Sequence, residues 1–110
     1  MSEQAMTDED LIAVALDFRK GILIGRPSKM MCFAVSAPLQ GFLSAVYGIE
    51  TEQEEVDFPE CNHVYLRLPD GRILDATADQ FGLEPVYLGE MPSIYKSWMD
   101  GTGAIPQEYL

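Results

Sequence analysis

One histidine is all the imidazole this chain carries: His63, at the head of the stretch HVYLRLPDGRILDAT. Cysteine is nearly as scarce. Cys32 and Cys61 stand far apart, which excludes a disulfide framework and makes a reducing cytoplasm the expected compartment. Basic residues are few, seven against eighteen acidic ones, giving a formal net charge of -11. That field repels a nucleic-acid duplex or an anionic membrane, so neither is an expected partner. Long apolar runs are missing too. LIAVAL at 11–16 is among the longest, far too short to span a bilayer, and no signal pattern is read ahead of the first helix. No repeat, linker or low-complexity segment interrupts the 110 residues, so one domain is expected over 1–110.

What is present suits a globular chain. A hydrophobic fraction of 47% with five Tyr and five Phe argues against disorder, and the length allows a real core. Residues 1–6 read as a frayed start. Thr7 and Asp10 form a capping-box pattern, and Leu11, Val14, Ala15 and Phe18 recur at helical spacing. With Gly21 as a C′ glycine, this predicts a helix from about residue 8 to about 20. Ser28 reads as the cap of a second helix running to Tyr47 and closed by Gly48, with Pro38 expected to kink or split it. TEQEEVDF at 51–58 is an acidic edge strand. Further strands are expected at about 61–68, 72–77 and 85–88, then a short helix over 92–99 and a loose tail.

The turn in LRLPDGR decides what His63 faces. Pro69 and Asp70 suit the central positions of a type I turn, and Gly71 suits the left-handed residue after it. Leu68 then faces Arg72, and paired residue numbers sum to 140. In that register His63 and Asp75 become diagonal neighbours on one face of the sheet. A two-residue loop on Asp70-Gly71 would shift the sum to 141 and send Asp75 to the opposite face. Proline before the turn favours the first register.

An aspartate beside a histidine orients the ring and stabilises the imidazolium. Cys32, in the first turns of the second helix, sits where unpaired N–H groups and the helix dipole favour a thiolate. The three residues therefore form a candidate catalytic set: Cys32 as nucleophile, His63 as acid and base, Asp75 as orienting carboxylate. The stretches MCFAVSAPLQGFL, HVY and DAT, with YGIE after the helix, resemble the transglutaminase-like branch of the papain-like cysteine enzymes over residues 28–82. The glycine often found two before that family's cysteine is Met30 here, and the proline after the aspartate is Ala76.

The resemblance implies an α+β fold with a papain/transglutaminase-like core. It comprises an N-terminal helix closing another side of the core, a cysteine-bearing central helix and a small antiparallel sheet. It also implies acyl transfer through a thioester on an amide or ester carbonyl, by a hydrolase or a transferase, with no cofactor. A shallow site favours a polypeptide or peptide-like substrate, with a second copy or a partner protein as the expected cover. The Cys32 N–H is expected to form half of an oxyanion hole with Gln80 as the candidate second donor, and Tyr65 to wall the site.

Competing readings stay open at this level. Each residue has a plainer account: Cys32 a buried hydrophobe, His63 a satisfied strand histidine, Asp75 a cap for the ATADQF turn. Asp79 is a second candidate acid. Cys32, Cys61, His63 and Asp75 could bind zinc, or Cys32 and Cys61 could form a regulatory disulfide. A non-catalytic module meeting a basic partner through the acids of 50–60 is the rival class.

Overall fold

Thr7 opens the first helix of the computed structural model, which describes residues 6–110. The expected fraying over 1–6 lies, Met6 excepted, outside the described residues. Both halves of the capping box form: the Asp10 amide donates to Thr7 Oγ1 at 3.0 Å and the Thr7 amide to Asp10 Oδ2 at 3.4 Å. Helix α1 spans Asp8–Leu23 and passes through Gly21 instead of stopping there. Leu23 is buried, and burying a leucine is worth about 1.5–3 kcal/mol against roughly 1 kcal/mol for a helical glycine. The helix stops one residue later, at Ile24 in the left-handed conformation (φ 51°).

Helix α2 spans Cys32–Tyr47 as one continuous helix despite Pro38, and Gly48 closes it. Ser28 is not its cap. The Ser28 hydroxyl donates to Asp79 Oδ1 at 2.6 Å, residues 28–31 make a turn, and no side chain caps α2. The first-turn N–H groups are thereby left to the cysteine that begins the helix.

Four strands follow: β1 (Glu52–Asp57), β2 (Asn62–Arg67), β3 (Ile73–Asp75) and β4 (Tyr87–Gly89). They form an antiparallel sheet in chain order. Between β3 and β4 a 3-10 turn covers Ala78–Phe81, β3 ending at Asp75 instead of running to about 77, and α3 (Ser93–Asp100) comes after β4. The β2–β3 register pairs Leu66 with Leu74 and Arg67 with Ile73, the sum of 140. Leu68 N–H donates to Arg72 carbonyl at 2.8 Å, and Gly71 takes φ 92°, as the three-residue loop requires.

Both faces of this α+β sheet are packed, because strand alternation sends neighbouring residues into different clusters. Leu66 and Leu74 join Leu11 and Ala15 of α1 and Val35 and Leu39 of α2. Tyr65 and Ile73 point the other way, into an aromatic cluster with Phe58, Phe81, Tyr95 and Trp98. The first helix therefore lies beside the cysteine helix on the same face, and α3 closes the other side, correcting the expected division. Residues 101–110 are no loose tail: Ile105 is buried, a 3-10 turn spans Gln107–Tyr109, and Tyr109 lies against Gly82. Among the described residues no helix is long and apolar enough to cross a membrane.

Candidate active site

Asp75 ends β3 and His63 lies near the start of β2, and the 140 register brings their side chains together. His63 Nε2 and Asp75 Oδ2 are 2.6 Å apart, with both side chains wholly buried. Two further donors complete the carboxylate: the Tyr95 hydroxyl reaches Oδ2 at 2.6 Å and the Thr77 amide reaches Oδ1 at 3.1 Å. A buried anion needs such partners, and three donors fix this one in place. The imidazole is boxed by aromatic edges, with ring centroids 4.9 Å from Phe81 and 5.5 Å from Tyr95.

With Nε2–H committed to Asp75, Nδ1 is the nitrogen left for Cys32. Cys32 is the first residue of α2 and half-buried. Burial alone would push its thiol up. A side-chain hydrogen bond with His63, backbone donors at Val64 and Phe33, and the imidazole charge outweigh it, so the thiol lies below its ordinary range. For His63 burial likewise acts against the charged ring, and Asp75 and Cys32 together outweigh it, raising the ring to about 9. Each group makes the other's charged form easier to hold.

Gln80 also reaches the imidazole. Its Nε2 donates to Thr77 Oγ1 at 3.0 Å and lies 3.4 Å from His63 Nδ1, and its Oε1 accepts from the Met30 amide at 3.3 Å. It shares with Cys32 a cavity of about 510 Å³, whose other walls include Met30, Cys61, Phe81 and Tyr109. A slightly larger cleft of about 570 Å³ lies beside Arg67 and Gly71, at the opposite end of β2, and is lined by no cysteine or histidine. The smaller cavity is the one that Cys32 lines. Tyr65 stands on the His63 face but is fully buried, with its hydroxyl 3.9 Å from Met91 Sδ, and it does not line that cavity.

Asp79 is elsewhere. Both its oxygens accept from Arg19, at 2.8 and 2.9 Å, and Oδ1 also accepts from Ser28, so it has no role at His63. The zinc alternative fails on placement: among the described residues no three His, Cys, Asp or Glu side chains are grouped to share a metal ion. Cys32 and Cys61 are both free thiols. Burial and the nearby charges of Cys32 and Glu60 push Cys61 above its ordinary range, leaving Cys32 the more acidic thiol.

Tyr95 is the site residue that sequence reasoning missed. PSIYKSWM reads as a helix, but nothing in its spacing says which side chain enters a carboxylate's first coordination twenty residues back. Compared with protein-family models, curated proteins and solved structures, the chain finds no match, so the geometry carries the functional reading.

Proposed function

We propose that this protein is a cysteine acyl-transfer enzyme of transglutaminase-like, papain-like architecture, with Cys32, His63 and Asp75 as its catalytic triad. One observation carries the reading: a fully buried His63–Asp75 pair at 2.6 Å beside a half-buried cysteine that opens a helix and whose thiol pKa His63 lowers. Met30 adds weight. It occupies the position where the resembling family often has glycine, and its backbone takes φ 62°, the left-handed conformation glycine favours.

In the mechanism, the Cys32 thiolate attacks the carbonyl carbon of a peptide-like amide or an ester. The oxyanion that forms accepts from the Cys32 N–H, which has no partner within its helix. Imidazolium His63 gives its Nδ1 proton to the leaving amine or alcohol, and a thioester remains. Water or an acceptor amine then loses a proton to His63, attacks the thioester, and releases the acid or the new amide as the thiolate returns. Because His63 is wholly buried, the Gln80 amide must turn aside for the leaving group to reach Nδ1. The cavity of about 510 Å³ accommodates a side chain with its flanking backbone.

The test is the alkylation rate of Cys32 as a function of pH, resolved from Cys61 by mass spectrometry, in wild type and His63→Ala. Fast reaction well below the free-thiol pKa of about 8.5, lost in His63→Ala, supports the triad. Ordinary thiol behaviour in both proteins overturns it and leaves the acidic interaction module as the reading.

A further inference from the structure

The Asp75 carboxylate does not serve His63 alone. Its Oδ2 accepts two short hydrogen bonds at once, from His63 Nε2 and from the Tyr95 hydroxyl, each at 2.6 Å. Tyr95 comes from α3, on the far side of the aromatic cluster, and is completely buried. Its ring packs against Phe58, Phe81 and Trp98 at centroid distances of 5.5, 5.9 and 5.8 Å. A buried tyrosine needs a partner for its hydroxyl, but any backbone carbonyl would satisfy it. This one is aimed at the oxygen that also holds the imidazole.

The geometry points to Tyr95 as a positioning residue that sets how strongly Asp75 holds the proton on His63. It rests on the triad reading for its purpose, though not for its test. Two donors on one carboxylate oxygen share its negative charge, and in a dry surrounding neither is screened by water. The phenol withdraws charge from the bond to Nε2, which keeps the ring a better proton donor than an unshared Asp75 would allow. It also locks the carboxylate against rotation, with the Thr77 amide holding the other oxygen. The titratable groups around this centre are Cys32 from α2, Tyr65 from β2, Asp75 from β3 and Tyr95 from α3; Gln80 is uncharged.

Because the chain has one histidine, its imidazole NMR signal needs no assignment. The experiment titrates that signal in wild type, Tyr95→Phe, Cys32→Ser and the Cys32→Ser/Tyr95→Phe double variant. With the shared donor gone, Asp75 holds the imidazolium harder, and the His63 midpoint rises by roughly one pH unit in both backgrounds, the scale of one charge-assisted hydrogen bond. Tyr95→3-fluorotyrosine, a stronger phenol donor of nearly the same shape, lowers the midpoint. That opposite sign decides the matter even if Tyr95→Phe fails to fold.

A tyrosine that only fills space would cost stability and leave the midpoint where it was, and midpoints unmoved in the Cys32→Ser background overturn the inference. The triad reading fails separately, if Cys32→Ser leaves the wild-type midpoint unchanged while the tyrosine variants still shift it.

Discussion

His63 Nε2 meets Asp75 Oδ2 at 2.6 Å across adjacent strands, with neither side chain reaching solvent. That pair makes stability depend on pH in a defined direction. The folded ring is raised from 6.5 to about 9, so it stabilises the native state fully below pH 6.5 and loses that contribution as pH rises through about 9. Urea midpoints taken between pH 6 and pH 10 should fall across this window by the equivalent of a few kcal/mol. His63→Ala should flatten the dependence. A flat wild-type profile would mean that the pair holds no extra proton.

Asp75→Ala leaves Nε2, the Tyr95 hydroxyl and the Thr77 amide unpaired in the interior. The expected cost is about 3–5 kcal/mol. His63→Ala in the same background should cost less than it does alone, because the ring has already lost its partner. A double-mutant cycle by chemical denaturation measures that coupling, and strict additivity would refute a mutual pair.

Arg19 holds the segment that carries Gln80. Its guanidinium donates to Asp79 at 2.8 and 2.9 Å, to the Ala76 carbonyl at 2.9 Å and to the Pro85 carbonyl at 2.8 Å. Lysine keeps the charge but not the planar fork. Arg19→Lys should therefore lose about 1–2 kcal/mol and Arg19→Ala about 2–4 kcal/mol. Hydrogen exchange should quicken at residues 76–85 ahead of the rest, and uniform quickening would argue against a local role.

Met30 and Ile24 hold left-handed backbone at φ 62° and 51° while the residues are 84% and 76% exposed. Neither buries enough to offset the conformational strain. Met30→Gly and Ile24→Gly should each stabilise by about 0.5–1 kcal/mol, and Met30→Ala should not. Thermal melts of the three variants check this, and a destabilised Met30→Gly would show that the Met30 side chain carries binding energy of its own.

Much of the local order could be read from the chain. Thr7 and Asp10 start α1 because a cap needs only neighbours three residues apart. Pro69, Asp70 and Gly71 set the hairpin, and the hairpin's register places His63 beside Asp75, because turn geometry and strand alternation are both local rules. The body of α2 and its closure at Gly48 follow from the helix pattern in the same way, but its start at Cys32 does not, because Ser28 reads as a cap four residues earlier.

What the chain could not announce is where distant polar groups meet. Ser28 reads as a cap, yet its hydroxyl goes to Asp79, fifty-one residues away, and Asp79 in turn belongs to Arg19. Tyr95 reads as one residue of an amphipathic helix, yet it completes the Asp75 carboxylate. Pattern gives a side chain its face; only packing gives it a partner. A buried carboxylate must be satisfied by whatever donors the folded chain delivers, and that delivery is decided when α1 and α3 close on opposite faces of the sheet.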